Sequence, residues 1–234
     1  WVGFKKYKRV INDQEYQDAA KFTFIYVIVS VVIEIILGLF LAFLFNRRIY
    51  GRGFMRSLMI LPIFATPFAI GFMFFTILFE VSGPLAWMGI PFLSNHNWAP
   101  FSVMLVDIWQ WTPFCFLVFL AALQGIPDDL IEAATLDTKS AYKIWTSVIL
   151  PLLQPIIVLV ILLRVAESAK LYDYIASLTK GGPGTATQSV SFLVFNKAFK
   201  MNDFGYASAG SFLMLIVVMI FVMLFFTRLR KTYE

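Results

Sequence analysis

The chain has 234 residues, of which 60% are hydrophobic and only 14% are charged. Soluble domains carry about 45–50% apolar and about 25% charged residues, so this composition excludes an ordinary water-soluble domain and indicates an integral membrane protein. The formal net charge of +5 comes from short basic clusters beside apolar runs, such as Arg47, Arg48, Arg52 and Arg56. Such clusters are typical of membrane flanks, and no nucleic-acid partner is expected. The single cysteine, Cys115, excludes an intrachain disulfide.

Five segments of the chain are apolar enough to be membrane-spanning helices, which need roughly 20 mainly apolar residues each. Helices are expected because lipid offers no hydrogen-bond partner to free backbone groups. Pro62 and Pro67 lie near the start of the second segment, and Pro113 inside the third is expected to kink that helix. The fold class is therefore an all-α polytopic helix bundle. In chain order, the expected spans cover residues 22–45, 58–79, 101–123, 148–166 and 207–226.

The polar stretch 124–147 separates the third and fourth expected spans and is predicted to contain a helix outside the lipid. Pro127 and the acidic residues that follow it favour a helix start. Asp129 followed by Glu132 resembles a capping pair.

A second polar stretch, residues 170–206, separates the fourth and fifth expected spans. Its Gly-Gly-Pro-Gly sequence at 181–184 predicts a turn. Residues 187–200 are then expected to form a short amphipathic helix at the membrane interface.

Four ionisable residues fall at membrane depth, where each costs roughly 2.5–3.5 kcal/mol on insertion scales. Arg164 and Glu167 are three residues apart, so they are expected to meet on one helix face. They form either an ion pair that locks helices together or a polar site that binds hydroxyl groups through forked hydrogen bonds. Glu34 and Asp107 are expected to be hydrogen-bond partners between helices.

Two linked motifs indicate a family. Residues 132–134 read Glu-Ala-Ala and residues 148–151 read Val-Ile-Leu-Pro, a pairing that resembles the loop shared by the membrane subunits of bacterial ABC importers. The flanking sequences at 122–127 and 178–183 are similar to those of the carbohydrate-uptake branch, which includes the maltose and glycerol-phosphate permeases. One position departs from the pattern, because Thr138 stands where the family has glycine. A glycine there would suit a turn with positive φ, which a β-branched residue adopts only with strain.

The resemblance implies a single permease domain over residues 1–234, with the six-helix core of the type I importers, and therefore a sixth helix before Trp1. It implies a non-catalytic subunit in the bacterial or archaeal cytoplasmic membrane. The implied partners are a second, different permease chain, two ATPases that hold ATP and magnesium, an extracytoplasmic binding protein and membrane lipid. The implied solute is a sugar, oligosaccharide or polyol. No cofactor or metal is expected on this chain itself.

The resemblance also implies two sets of functional residues. Residues 124–147 become a cytoplasmic loop whose short helix docks on an ATPase, although Glu132 could equally cap its own helix. Residues 170–206 become extracytoplasmic. The implied coupling residues are Glu132, Ala133, Ala134, Asp137 and Thr138. The implied substrate-path residues are Gln110, Trp111, Phe114, Arg164, Glu167, Ser168 and Leu171.

A self-contained transporter or channel driven by an ion gradient is the alternative, with the buried acids as proton or cation sites. The docking motif favours the importer. A membrane enzyme has little support, since the chain has one histidine, His96, and one cysteine.

Overall fold

Helices account for all the regular structure of the described residues, which in this computed structural model are 4–46 and 50–233. The all-α prediction is therefore confirmed. Three π-helical turns, at Trp145–Ile149, Ile175–Thr179 and Asn196–Lys200, and a 3₁₀ turn at Ala86–Met88 supplement the helices. The helices are α1 (Lys5–Ile11), α2 (Gln14–Asn46), α3 (Arg52–Phe64), α4 (Pro67–Leu78), α5 (Trp98–Gln124), α6 (Asp128–Asp137), α7 (Ala141–Ile144), α8 (Leu150–Ser168), α9 (Val190–Phe195) and α10 (Phe204–Tyr233).

Within the part of the chain that the structure describes, four continuous helical segments are long and apolar enough to cross a membrane: α2, α5, the run Ala141–Ser168, and α10. The second expected span, 58–79, is not one helix, because α3 and α4 meet at an angle of 100°. Pro67 opens α4 and disfavours helical geometry at the residue before it. Thr66 is accordingly extended, and its hydroxyl caps α4 by accepting from the Ala69 N–H at 3.4 Å. By contrast, α5 runs through Pro113 from Trp98 to Gln124.

The two ends of the bundle carry different polar contacts. At one end, α1 and the segment before α10 are joined by Lys6 and Arg9, which both pair with Asp203 at 3.0 and 3.1 Å. The hydrogen bond from Lys6 holds the pKa of Asp203 below its ordinary value. At the other end, the Arg56 guanidinium donates to the Phe45 carbonyl oxygen at 2.9 Å. Arg47 and Arg48, of the basic cluster noted above, lie outside the described residues.

Helices α2 and α5 form the centre of the bundle at a very close approach. A methyl group at Gly38 would lie 2.6 Å from the Cys115 Cβ atom, closer than real Cβ contacts allow. Cys115 itself is fully buried. In membranes, where apolar surface gains little from burial, such small residues let helix backbones pack tightly.

The stretch 170–206, which is expected to be extracytoplasmic, includes the start of α10 at Phe204. The predicted turn at 181–184 is present, and Gly181 and Gly184 have φ of 88° and 59°, values that favour glycine. The interfacial helix begins at Val190 rather than at residue 187. Its start is fixed by the Ser189 hydroxyl, which accepts from the Phe192 N–H at 3.1 Å.

The turn after α6 is built without a left-handed residue. Thr138 has φ −153° and ψ 139°, which is extended backbone that any residue adopts. Its hydroxyl accepts from the Ser140 N–H at 3.3 Å. The expected capping pair is also absent from α6, since Pro127 precedes the first turn and Asp129 already lies inside it.

We expect Gly38→Ala to destabilise the protein by about 1–3 kcal/mol, because the added methyl group overpacks the α2–α5 contact. Thermal unfolding of the purified protein in detergent measures this. Gly53→Ala is the matched control, since a Cβ atom at Gly53 meets nothing within 4 Å. Equal stability of the two variants would contradict the close packing.

We expect Thr138→Gly to lower stability by about 0.5–1 kcal/mol, because glycine gains no conformational advantage at an extended position and loses more entropy on folding. Thr138→Ser keeps the hydroxyl and should behave as the wild type in the same unfolding experiment. A stabilised glycine variant would show that the turn adopts positive φ.

Candidate functional site: a buried ionic cluster and its cavity

Arg164 on α8 is the centre of the polar interior and is 1% exposed. Its Nε atom donates to the Glu34 Oε2 at 2.6 Å, and its Nη2 atom to the Glu34 Oε1 at 2.9 Å. The same Nη2 lies 3.3 and 3.4 Å from the two carboxylate oxygens of Asp107. One guanidinium thus joins α2, α5 and α8. The expectation that Glu34 and Asp107 bond between helices is confirmed.

Two further side chains contact the Arg164 guanidinium, a hydroxyl group and an aromatic ring. The Ser168 hydroxyl, one turn along α8, accepts from Nη2 at 3.1 Å. The Trp111 ring covers the guanidinium at 4.6 Å, a distance at which a cation is attracted to the face of an aromatic ring. A buried charge is tolerated when it is paired and hydrogen-bonded in this way.

The expected pairing of Arg164 with Glu167 is wrong. Glu167 instead accepts from the Lys170 ammonium at 2.7 Å, and its side chain is 54% exposed. Arg164 turns toward α2 and α5 because two buried carboxylates there need a cation, whereas Glu167 is already solvated. The sequence spacing allowed both arrangements, and burial decided between them.

Gln110 on α5 is also buried, at 1% exposure, and both ends of its amide are used. The amide oxygen accepts from the Tyr174 hydroxyl at 2.8 Å, and the amide nitrogen donates to the Ala65 carbonyl oxygen at 2.8 Å. Tyr174 also accepts from the Trp111 indole N–H at 3.1 Å. Gln110 therefore holds the break between α3 and α4 against α5.

A cavity of about 170 Å³ lies beside the ionic cluster. Ligand pockets commonly measure roughly 300–1,000 Å³, so the cavity in this chain is smaller than a typical ligand site. Five of the expected substrate-path residues line this cavity: Trp111, Arg164, Glu167, Ser168 and Leu171.

Gln110 and Phe114 do not line this cavity. Gln110 lies behind Tyr174, and Phe114 packs edge-on against Trp111 at 6.2 Å and against the apolar core. In this chain they therefore lie outside the space that Arg164 lines, and their assignment to the substrate path stays a prediction.

Sequence reasoning missed part of the cavity wall. Asp107 was recognised as a buried acid but not assigned to the path. The tyrosines gave no signal, because the turn that brings the loop back over α5 is not visible as a pattern. The additional lining residues are Tyr26, Pro67, Asp107, Lys170, Tyr172, Asp173 and Tyr174.

The expected coupling residues lie at the opposite end of the chain's helices from this cavity, on and after α6. Glu132, Ala133 and Asp137 are exposed, Ala134 is buried and Thr138 is half-buried. Leu136 on the same short helix is 89% exposed. A short helix with exposed acidic and apolar side chains is able to fit a groove on another protein. In residues 4–46 and 50–233, no three metal-ligating side chains are grouped to hold an ion.

Residues 34–234 match the family described as binding-protein-dependent transport system inner membrane component. The chain belongs to this family. The match covers every spanning segment from the middle of α2 onward, so this permease is a multi-pass membrane protein.

Named relatives agree with the assignment. The permease is 36% identical to the trehalose/maltose transport system permease protein MalF of Thermococcus litoralis, over 96% of this chain and 78% of the relative. It is 29% identical to the sn-glycerol-3-phosphate transport system permease protein UgpA of Agrobacterium fabrum, over 93% of this chain and 77% of the relative. These are permease subunits of sugar and polyol ABC importers.

The fold has a solved counterpart. The crystal structure of a bacterial ABC transporter involved in the import of the acidic polysaccharide alginate matches with a TM-score of 0.88 at 21% identity, over 100% of this chain and 85% of that chain. At that identity the likeness establishes the fold of the permease, which is that of an ABC importer membrane subunit.

We expect Arg164→Met to destabilise the permease by about 3–5 kcal/mol, because it leaves Glu34 and Asp107 buried without a cation. Adding Glu34→Gln and Asp107→Asn should restore most of that loss. Thermal unfolding in detergent measures both.

Lys170→Met is the control for this experiment. It removes a pair whose side chains are 68% and 54% exposed, and such surface pairs contribute about 0–1 kcal/mol. If Arg164→Met costs no more than Lys170→Met, the ionic cluster does not hold the three helices together.

Proposed function

We propose that the permease is a membrane-spanning subunit of an ATP-driven importer for a sugar, oligosaccharide or polyol. The observation that carries this proposal is the family match over residues 34–234. The relatives named for trehalose/maltose and sn-glycerol-3-phosphate support a hydroxyl-rich solute. They differ in the charge of that solute, so the family leaves its charge open.

In this proposal, α6 is the helix through which movement of the ATPases is transmitted to the permease. Its exposed face, with Glu132 and Leu136, docks in a groove of a cytoplasmic ATPase. Ala133 permits close approach, and Ala134 packs the helix against its own chain. After α6, the chain continues through α7 and a π-helical turn directly into α8, so a displacement of α6 is carried to Arg164.

The cavity beside Arg164 forms part of the substrate path. Trp111 offers an aromatic face for sugar C–H groups, while Glu167 and Ser168 offer hydrogen-bonding atoms for hydroxyls. Leu171 supplies an apolar edge. Because the cavity is small, a second permease chain, different from this one, would supply the facing wall.

The remaining parts of the proposal concern partners and location. The importer would contain two ATPases, which bind ATP and magnesium, and would receive its solute from an extracytoplasmic binding protein. This subunit would catalyse no reaction itself and would bind no cofactor. The complex would reside, surrounded by lipid, in the cytoplasmic membrane of a bacterium or archaeon.

Reconstitution of the permease tests this proposal against a carrier driven by an ion gradient. Proteoliposomes are prepared with the partner permease, both ATPases and the binding protein, and uptake of labelled maltose, trehalose and glycerol is measured with and without internal ATP. ATP-dependent uptake that also needs the binding protein supports the importer. Uptake by this chain alone, driven by a proton or sodium gradient, would overturn it.

We expect Glu132→Ala to reduce ATP-dependent uptake at least tenfold, while the ATPases still hydrolyse ATP, because the docking contact carries the motion. Uptake and hydrolysis are measured on the same proteoliposomes. Asp129→Ala is the matched control, as it removes an exposed acid one turn earlier on α6 and should leave uptake near the wild-type rate. Equal uptake by both variants would remove Glu132 from the coupling contact.

A further inference from the structure

The cavity beside Arg164 has an unbalanced set of charges. Three carboxylates line it, those of Asp107, Glu167 and Asp173, together with two cations, Arg164 and Lys170. Glu34 lies directly behind the wall, bonded to Arg164. Four carboxylates against two cations give a formal net charge of −2. A proton shared by Glu34 and Asp107 would still leave the site negative.

Both cations of the cavity are already paired with carboxylates. The Arg164 guanidinium has Nε and Nη2 committed to two carboxylates, and the Trp111 ring covers one of its faces. The Lys170 ammonium is bonded to Glu167. An incoming phosphate or carboxylate would meet cations whose charge is already balanced by bound carboxylates, in a site whose formal net charge is negative.

The rest of the cavity wall suits an uncharged hydroxyl-bearing solute. Four aromatic side chains line it, those of Tyr26, Trp111, Tyr172 and Tyr174. Carboxylates accept hydrogen bonds from hydroxyls, and aromatic faces pack against the C–H surface of a sugar ring. The exposed carboxylate of Asp173 adds an acceptor at the mouth of the cavity.

We infer that this cavity selects neutral sugars or polyols and rejects anionic ones, such as uronates and sugar phosphates, because its cations are internally neutralised and its net charge is negative. The inference rests on the proposed function, which it narrows to an uncharged solute class.

Cysteine reporters measure the potential in the cavity without any transport solute. Cys115→Ala first removes the only native cysteine. In that background, either Ser168→Cys or Leu171→Cys then places a thiol at the cavity wall. Thr185→Cys, at an exposed position outside the cavity, is the reference site. The protein is the assembled importer without its binding protein, and labelling of this subunit is followed by intact mass.

The probes are three methanethiosulfonates of similar size, carrying trimethylammonium, hydroxyl or sulfonate groups. Each transfers its thio group to the cysteine thiolate and releases methanesulfinate. Rates are divided by those measured with free 2-mercaptoethanol. The fraction of thiolate affects all three probes equally, so the ratio of cationic to anionic rates reports the local potential.

We expect this ratio to be about tenfold higher at the cavity reporters than at Thr185→Cys, from a net charge of −2 a few ångströms away in partly screened water. Adding Glu167→Gln and Asp173→Asn should return the ratio to near that of the reference site. Asp18→Asn with Asp129→Asn removes the same charge outside the cavity and should leave the ratio unchanged.

Two results would overturn the inference. One is an anionic probe that reacts at the cavity reporters as fast as the cationic probe. The other is the absence of reaction with all three probes at both reporters, which would mean that solutes do not reach the cavity. Either result leaves the importer proposal standing, since that proposal is decided separately by ATP-dependent uptake in proteoliposomes.

Discussion

The forked hydrogen bond between Arg164 and Glu34 is the interaction on which the rest of the bundle depends. It joins two spanning helices through residues that are 130 positions apart in the chain, and Asp107 brings in a third helix. In lipid, apolar side chains gain little from meeting one another, so polar contacts and close packing must hold helices in register. The geometry at Gly38 supplies the packing, and the guanidinium supplies the polar contact.

The same guanidinium forms part of the cavity wall, which makes stability and solute recognition hard to separate at this position. A residue that neutralises two buried carboxylates has little left to offer a solute. In the proposed substrate path, recognition would therefore fall to its neighbours, such as Trp111 and Glu167, which keep an exposed or half-exposed surface. Helix α8, about 28 Å long by its 19 residues, then runs from this region to the π-helical turn at Trp145–Ile149, and α7 joins that turn to the end of α6.

Much of the fold could be predicted from hydropathy, because a spanning segment is long and its composition extreme. Hydropathy does not reveal the break at Thr66. The two prolines near it do not reveal it either, because a proline can also lie within a continuous helix, as Pro113 does in α5. The Glu-Ala-Ala motif and the sequences linked to it indicated the family, and Pro127 with the acidic residues after it indicated where α6 starts. Neither indicated the geometry at Thr138, which depends on the local turn rather than on the motif.

The candidate site was predicted less well, for a physical reason. Spacing along a helix states which side chains share a face but not which neighbour they meet. Arg164 pairs with Glu34 and Asp107 rather than with the nearby Glu167. A buried carboxylate without a cation costs more free energy than an exposed one, which water solvates. The contact of Tyr174 with Gln110 could not be predicted from spacing, because it depends on how the loop folds back over α5.

The hydrogen bond from Gln110 to the Ala65 carbonyl has a mechanical consequence. The break between α3 and α4 leaves that peptide oxygen outside the helical ladder, and Gln110 is the partner that satisfies it. If α4 slid or rotated against α5, the oxygen would be stranded in a medium without water, at a cost of several kcal/mol. The Gln110 side chain thus ties α3 and α4 to α5 at this point, so a displacement of α4 that kept this hydrogen bond would have to carry α5 with it.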